Sequence, residues 1–372
     1  MSKHGDRIER LRAQLETDNL DAFLVSQPES RFYLSGYTGH DLPPRDSAGY
    51  LVIGKKDAFL LTDPRTSEQA EYETSGYEVV VYSGENRMTD RVKQVVQRIG
   101  ATRVGFESIH LPHAFWAAIQ AALAGASTFL PIKDLVDRLR VVKDSAEMKS
   151  LQAAIDVLDE CFIHVARNEL RAGRTELQVA AEISRFLDRR GYTTSFPSIV
   201  ASGTNASMPH AVPTERVIRE GEPITIDIGA LVEGYCSDMT RTVCIGEPSA
   251  KLREVYALVL EAQDRAEKRV RVGMTGVEAD ALARDFLKER GHGEYFTHGL
   301  GHGIGLEVHE PPSLSLRGEQ KLETGMVFSV EPGIYQAGWG GVRIEDLVRL
   351  EDSGAKILCR SPKALELSEV IA

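Results

Sequence analysis

The sequence predicts an α/β N-terminal domain over residues 1-135, followed by an α+β C-terminal domain over residues 140-372 that contains an internal pseudo-twofold repeat. The length predicts two domains, because 372 residues are too many for one compact core and too few for three. In the first part of the chain, short β-rich runs alternate with helical patterns, which is typical of an α/β domain. In the second part, two segments match each other at many positions.

Hydrophobic periodicity predicts the elements of the N-terminal domain. An amphipathic helical pattern runs from Arg7 to Leu15. Short runs rich in β-branched and aliphatic residues then predict strands over 22–25, 49–53, 58–61 and 78–82. Further along, Asp144 followed by Glu147 is typical of a helix N-terminus, because the two residues can cap each other's backbone N–H groups. The second domain therefore begins near residue 140.

The repeat is the most informative feature of the second domain. The matched pairs are Arg171 with Arg271, Gly173 with Gly273, Thr175 with Thr275, Ala181 with Ala281, Phe186 with Phe286, Leu187 with Leu287, Arg190 with Arg290 and Gly191 with Gly291. Each copy predicts a long helix, a glycine, a threonine cap, a second amphipathic helix and a glycine stop. The domain is therefore predicted to be a duplicated unit.

Each copy continues into a predicted β-hairpin whose polar face carries two carboxylates. In the first copy, alternation with isoleucines places Asp227 on the polar face, and the returning strand places Asp238 there. In the second copy, the same period of two places Glu331 and Glu345 on the polar face. The repeat therefore brings four carboxylates to one pseudo-twofold axis.

Four carboxylates on strands that cover a core would be partly desolvated and mutually repulsive, so we expect raised pKa values and a need for countercharge. Two divalent cations would supply roughly +4, and an oxygen-rich set with one imidazole suits Mn, Co, Fe or Zn. The candidate imidazole is His302, in the glycine-rich run HGLGHGIGLEVHE. Taken singly, each of these residues is as readily a solvated strand-end or loop residue. Their matched positions in both copies favour one metal cluster.

Composition and charge argue against several other classes of function. Apolar residues make up 42% and charged residues 27%, the proportions of an ordinary globular chain. A net charge of -11 would repel phosphate backbones and anionic lipid, so we expect no nucleic acid and no membrane among the partners. The G-x-S-x-G, H-E-x-x-H and G-x-x-x-x-G-K-[ST] motifs do not occur. Four cysteines without a C-x-x-C pair, and an N-terminus without an apolar leader, predict a cytoplasmic protein.

The segments ITIDIGALVEGYCSDMTRT, HGLGHGIGLEVHE, VFSVEPGIY and GGVRIED resemble the pita-bread (M24-type) metallopeptidases, in particular the Xaa-Pro branch with prolidase and aminopeptidase P. The resemblance spans nearly the whole chain and implies a creatinase-like N-terminal domain. It implies that the dimetal ligands are Asp227, Asp238, His302, Glu331 and Glu345. It further implies that Asp238 and Glu345 bridge both ions, that Asp227 binds one, and that His302 and Glu331 bind the other. Manganese is the expected metal, with Co, Zn or Fe as alternatives.

The resemblance also implies roles for other residues. His210 and His309 would face the substrate and the tetrahedral intermediate; the alternative is that both are surface loop histidines. His298 is similar to a histidine of the proline-specific branch that methionine aminopeptidases usually lack, and is predicted to bind substrate. Arg343 could contact a carboxylate ligand, a carbonyl of the substrate or the proline carboxylate, and an ion pair with Glu345 is equally consistent with the sequence.

The implied activity is the hydrolysis of Xaa-Pro bonds in dipeptides or short peptides by a water that two ions activate, with Glu331 as the proton shuttle. Three alternatives remain: a methionine aminopeptidase-type exopeptidase, a catalytically inactive pita-bread module that binds a protein partner, and a creatinase-like metal-free hydrolase. We expect a homodimer. The loop over residues 36–50, with Asp41, Arg45 and Asp46, could reach the neighbouring subunit's active site or could be a solvated loop.

Overall fold

In a computed structural model, which describes residues 3–41 and 47–372, the chain forms two compact units, Met1–Arg140 and Val141–Ala372. Arg45 and Asp46 of the predicted loop lie outside the described residues. Within the described ranges, no helix combines the length and apolar character that are needed to cross a membrane.

The first unit is built on a six-stranded mixed sheet. Its elements are α1 (Lys3–Thr17), β1 (Ala22–Val25), α2 (Pro28–Ser35), β2 (Tyr50–Gly54), β3 (Ala58–Thr62), α3 (Ser67–Glu73), β4 (Glu78–Val81), α4 (Met88–Arg98), β5 (Arg103–Glu107), α5 (His113–Leu123), β6 (Thr128–Ile132) and α6 (Asp137–Arg140). The strand order is β4-β3-β2-β1-β5-β6, and β2 is antiparallel to both of its neighbours. The predicted first helix and the four predicted strands are present, with strand ends shifted by one residue at most.

A buried arginine holds both flanks of the segment 42–46. The side chain of Arg31, which is 1% exposed, donates to Asp41 Oδ1 at 2.8 Å and to the carbonyl oxygens of Gly39 and Gly49, each at 2.7 Å. Asp41 Oδ1 also accepts a hydrogen bond from the backbone N–H of Ala48 at 2.7 Å. Asp41 is therefore engaged within its own chain, and this disfavours the prediction that it reaches a neighbouring subunit.

The second unit contains the repeat. Its elements are α7 (Ser145–Asn168), α8 (Glu176–Asp188), β7 (Thr193–Thr194), β8 (Ile199–Ser202), β9 (Ile224–Ile228), β10 (Ala230–Val232), β11 (Tyr235–Cys236), β12 (Met239–Val243), α9 (Ala250–Arg269), α10 (Gly276–Glu289), β13 (Gly301–Gly303), β14 (Glu310–Leu314), β15 (Val327–Val330), β16 (Gly333–Gln336), β17 (Gly340–Arg343), β18 (Asp346–Glu351), β19 (Gly354–Ile357) and α11 (Leu367–Val370). Capping boxes begin α7 at Asp144, α8 at Thr175 and α10 at Thr275. The helices of each copy pack on the strands of that copy, so each copy has its own apolar cluster.

The prediction of two simple hairpins is wrong in detail, because each copy contains two nested strand pairs. In the first copy β9 pairs with β12, and the short strands β10 and β11 form a second pair between them. In the second copy β15 pairs with β18, and β16 pairs with β17. Pro332 has no N–H for the ladder and follows Glu331, so β15 ends there and the chain starts a new pair. All four carboxylates lie within or directly beside β9, β12, β15 and β18.

Candidate active site

One cavity of about 550 Å³ in the second unit is lined by every residue that the sequence singled out for the site. These are His210, Asp227, Asp238, His298, His302, His309, Glu331, Arg343 and Glu345. One ligand atom from each of Asp238, His302 and Glu345 lies within 4.8 Å of the other two, in an arrangement that could hold a metal ion. The cavity also has an apolar wall, formed by Phe196, Pro197, Ile199, Ala211, Val212 and Val308.

The short strand β13 places His302 in the cavity because its flanking glycines allow a close backbone approach. A Cβ atom added to Gly301 would lie 2.0 Å from the carbonyl oxygen of Ser329, and one added to Gly303 would lie 2.1 Å from that of Pro311. The backbone N–H of His302 donates to Ser329 Oγ at 3.0 Å, and this hydroxyl donates to Glu331 Oε1 at 2.9 Å. Ser329 therefore ties the histidine to the glutamate.

Three of the four carboxylates have the raised pKa values that the sequence predicts. Burial raises the pKa of Asp227, although the charge of Arg343 opposes the shift. Burial, followed by the charges of Glu345 and Asp227, raises the pKa of Asp238 well above its ordinary range. Burial and the charges of Glu331 and Asp227 do the same to Glu345. In the metal-free protein these three groups are therefore disfavoured as anions.

Glu331 departs from that prediction, because it is paired with His302. Burial alone would raise the pKa of Glu331, but the hydrogen bond and charge of His302 outweigh it and lower the value to about 2. The pair is reciprocal: burial opposes a charged imidazole, yet Glu331 raises the pKa of His302 to about 9. The distance from His302 Nε2 to Glu331 Oε1 is 3.2 Å. Without metal, His302 is therefore an imidazolium at neutral pH.

The donor set fits divalent ions. Among the described residues, Asp227 Oδ1, Asp238 Oδ1 and Glu345 Oε1 are buried oxygens without a hydrogen-bond partner. Leaving a buried acceptor unsatisfied costs free energy, so three such oxygens in one cavity are suited to bind a cation. His302 Nδ1 contacts the carbonyl oxygen of Gly303 at 3.1 Å and must carry a proton there. This leaves Nε2 as the nitrogen that would bind a metal when the ring is neutral.

Arg343 pairs with Asp227 rather than with Glu345. Its Nη2 lies 2.6 Å from Asp227 Oδ2, and its Nε donates to Thr240 Oγ1 at 3.0 Å. Its Nη1 donates to the hydroxyl of Tyr335 at 2.8 Å and to the carbonyl oxygen of Pro209 at 3.2 Å. Four of the five N–H groups thus have acceptors within the protein, which disfavours Arg343 as the main ligand of a substrate carboxylate.

His298 is held by Tyr335. Its Nδ1 donates to the carbonyl oxygen of Gly299 at 2.7 Å, and its Nε2 lies 2.9 Å from the hydroxyl of Tyr335. Burial lowers the pKa of His298, so the ring is neutral and its Nε2 accepts the tyrosine proton. The tyrosine oxygen in turn accepts from Arg343. The chain of donors therefore runs from Arg343 through Tyr335 to His298.

His309 and His210 are both exposed and line the cavity. The ring of His309 stands edge-on to that of His302, with 4.2 Å between the ring centroids. Burial and the nearby positive charge of His302 lower the pKa of His309, so it is neutral at pH 7. The two histidines therefore sit where a bound ligand would meet them.

Sequence reasoning missed two residues that organise the site. Thr240 accepts from Arg343 and donates to Glu345 Oε2 at 2.7 Å. Period two placed Thr240 on the polar face beside Asp238, and that signal could have found it. Tyr335 had no such signal, because its place depends on the separate pair of β16 with β17.

Comparison with known families agrees with the two units. Residues 149–352 match the model of metallopeptidase family M24, and residues 7–142 match the Creatinase/Prolidase N-terminal domain. The chain belongs to metallopeptidase family M24. The predicted fold class, a creatinase-type N-terminal domain with a pita-bread C-terminal domain, is therefore confirmed, as is the assignment to an enzyme of this family.

Several M24 relatives match over nearly the whole chain. A Pyrococcus furiosus protein named Xaa-Pro dipeptidase is 33% identical over 362 residues, which cover 97% of this chain and 99% of the relative. The solved structure of an Xaa-Pro dipeptidase from Bacillus anthracis is 42% identical, with a TM-score of 0.91 and coverage of 98% and 99%. An X-Pro aminopeptidase from Thermotoga maritima is 37% identical, with a TM-score of 0.87 and coverage of 96% and 99%.

Proposed function

We propose that this protein is a dimetal-dependent exopeptidase that hydrolyses Xaa-Pro bonds in dipeptides or short peptides. The observation that carries the proposal is a set of three buried carboxylate oxygens in one cavity with His302. These oxygens, on Asp227, Asp238 and Glu345, have no hydrogen-bond partner among the residues that the structure describes. The relatives named Xaa-Pro dipeptidase and X-Pro aminopeptidase support the substrate class.

The residues that would hold two divalent ions are Asp227, Asp238, His302, Glu331 and Glu345. Asp238 and Glu345 would be shared by both ions. Asp227 has one oxygen committed to Arg343, which fits a ligand to a single ion, and the contacting pair His302 and Glu331 would bind the other. When bound, the ions would polarise the scissile carbonyl and lower the pKa of a water to near neutrality. Manganese is the metal that we propose.

Glu331 is the proposed proton shuttle. Its low pKa in the metal-free protein depends on the charge of His302. A carboxylate with a pKa this low is ionised at neutral pH, which is the form that can accept a proton. Ser329 keeps Oε1 in place through its hydrogen bond of 2.9 Å. Glu331 is thus held where it can accept a proton and later return it to the leaving amine.

The cavity supports a short and partly apolar substrate. Its volume of about 550 Å³ falls within the range that encloses small ligands, roughly 300–1,000 Å³. The apolar wall offers a surface for the side chain or the proline ring of the substrate. His210 and His309 would donate hydrogen bonds to the oxygen that becomes negatively charged.

An assay with three peptides tests this proposal. We expect metal-dependent hydrolysis of Ala-Pro or Ala-Pro-Ala, and the ratio of the two rates distinguishes a dipeptidase from an aminopeptidase. Met-Ala-Ser is the control, because it presents an N-terminal methionine without a proline bond. Hydrolysis of Met-Ala-Ser at a rate equal to or above that of the proline peptides would contradict the proposal and favour a methionine aminopeptidase. No hydrolysis of any peptide would favour an inactive module.

Replacing His309 by alanine should lower kcat by roughly a hundredfold or more, because one donor to the developing oxyanion is lost. Steady-state kinetics on the better proline peptide measure this change. His164→Ala is the matched control, since His164 packs against Phe186 and does not line the cavity, and it should leave kcat unchanged. A change in KM alone for His309→Ala would instead assign this residue to substrate binding.

We also propose that the protein acts in the cytoplasm and as a homodimer. The four sparse cysteines, which include no C-x-x-C pair, motivate the first proposal. The dimer is carried over from the family resemblance. Sedimentation of the purified protein tests the oligomeric state.

A further inference from the structure

A buried guanidinium joins the two copies of the repeat behind the carboxylate cluster. Arg241 lies on β12 between Thr240 and Thr242, on the strand face where period two would place an apolar side chain. Its side chain is only 1% exposed, so the guanidinium lies within the core. A charge in this position is costly unless it is paired and fully hydrogen-bonded.

All five N–H groups of Arg241 have acceptors. Its Nη1 donates to the carbonyl oxygens of Thr240 at 3.0 Å and Glu345 at 2.5 Å. Its Nη2 donates to Asp346 Oδ1 at 2.7 Å and to the carbonyl oxygen of Ser361 at 2.8 Å. Its Nε donates to the carbonyl oxygen of Pro362 at 3.1 Å. One side chain of the first copy therefore holds the segment 345–346 of the second.

These contacts fix Glu345 from three directions. Its carbonyl oxygen is held by Arg241, and its backbone N–H donates to the carbonyl oxygen of Thr240 at 3.0 Å. Its Oε2 accepts from Thr240 Oγ1 at 2.7 Å. Asp238 directly precedes β12, two residues before Thr240. The position of Glu345 relative to Asp238 is thus set through a single stretch of β12.

We propose that Arg241 is a positioning residue for the carboxylate cluster: it fixes the backbone of Glu345 against β12, so that Glu345 and Asp238 stand at the separation that divalent ions require. The proposal rests on the metal site of the proposed function. Among the described residues, Arg241 is not part of the cavity lining and does not bond to a ligand atom, so it acts on the cluster through the backbone of Thr240 and Glu345 and through Asp346.

A second basic side chain that pairs with Asp346, that of Lys363, provides a matched control. Lys363 pairs with Asp346 and also binds Glu267 at 3.0 Å, but it makes no contact with Glu345. Removing Lys363 therefore takes one cationic partner away from the buried carboxylate of Asp346, but leaves the hydrogen bond from Arg241 to the backbone of Glu345 intact. If Arg241 served only to neutralise Asp346, the two substitutions would have the same effect on metal binding.

The test is calorimetric titration of Mn²⁺ into the chelator-treated full chain, beside a thermal melt of each metal-free protein. We expect Arg241→Met to weaken Mn²⁺ binding by roughly 10–100-fold, the range for residues that orient metal ligands. The Arg241→Lys variant should also bind Mn²⁺ more weakly, because the three N–H donors of a lysine cannot satisfy the five acceptors that surround Arg241. Lys363→Met should melt at a lower temperature and keep the wild-type affinity.

Unchanged affinity in the Arg241 variants would overturn the proposal, even if their melting temperatures fall. Should Arg241→Met fail to fold, Arg241→Met combined with Asp346→Leu removes both charges together, and the same weakening of Mn²⁺ binding is expected. A wild-type protein that binds no Mn²⁺ would overturn the proposed function and this proposal with it. If the wild type binds Mn²⁺ and every variant binds it with the same affinity, the positioning role of Arg241 is overturned and the proposed function is not.

Discussion

An Asp238→Ala variant is expected to lose peptidase activity almost completely and yet to melt, without metal, at the wild-type temperature or above it. Asp238 is proposed to be shared by both ions, so its loss removes the cation that activates water. Such activation is worth several kcal/mol, and each 1.4 kcal/mol is a factor of about ten, so the rate should fall by about a thousandfold or more. Kinetics on a proline peptide measure the rate.

The expected stability of this variant follows from burial and charge. Asp238 is buried, and the charges of Glu345, Asp227 and Glu331 add to the effect of burial in raising its pKa. Removing it relieves repulsion within the metal-free cluster. Asp159→Ala is the control, because Asp159 is as buried but accepts hydrogen bonds from Arg360 and Ser361 instead. The Asp159→Ala variant should have a lower melting temperature than the wild type and keep its peptidase activity. Full activity in Asp238→Ala would remove this residue from the site.

Removing the metal should destabilise the protein, and by more at pH 7.5 than at pH 5. A ligand at a hundredfold excess over its Kd stabilises the folded state by about 2.7 kcal/mol, and each tenfold weaker binding subtracts about 1.4 kcal/mol. Ions must displace protons from His302 and the carboxylates, so binding weakens as acid is added. The gain in melting temperature on adding Mn²⁺ should therefore be larger at the higher pH.

The direction follows from the pKa values of the metal-free protein. Asp227, Asp238 and Glu345 have raised folded-state pKa values, so their contribution to stability is present below about pH 4 and is lost as pH rises. His302 behaves likewise, and its contribution is lost between pH 6.5 and about 9. Glu331 has the opposite sign, but its contribution is lost only as pH falls below 4.5 towards about 2. Between pH 5 and 7.5 the metal-free protein therefore becomes less stable as pH rises.

Thermal melts with and without Mn²⁺ at the two pH values measure this difference. The Asp238→Ala variant serves as the control, because the same additions of Mn²⁺ should produce little gain at either pH. A gain in wild-type melting temperature that is absent at both pH values, or larger at pH 5, would mean that these carboxylates do not bind ions together.

Local sequence rules were sufficient for the parts of the fold and site that depend on periodicity. The capping boxes at Thr175 and Thr275 were predictable because a cap and its partner are only three residues apart. The sequence also predicted that four carboxylates lie close to one another, because the repeat relates the strands that carry them. These carboxylates belong to Asp227, Asp238, Glu331 and Glu345. The ligand roles of these residues stay a prediction.

Contacts between distant segments were not predictable from the same rules. The partner of Arg343 was left open, since the choice between Asp227 and Glu345 depends on how the strands beside Thr240 meet. Tyr335 was missed because the sequence does not show that β15 stops at Pro332 and a separate strand pair begins. The low pKa of Glu331 was missed because repulsion among carboxylates was considered without the competing hydrogen bond from His302.

The division of the site between two copies also sets an order of events during synthesis. Asp227 and the Arg343 that neutralises it are 116 residues apart in the chain. At roughly 5–20 residues per second, a ribosome makes the arginine about ten seconds after the aspartate. Throughout that interval the carboxylates of the first copy lack the guanidinium of Arg343 and the strands of the second copy that will enclose them. The centre therefore closes only after Arg343 and Glu345 have been synthesised, and the proposed ions would bind only after that point.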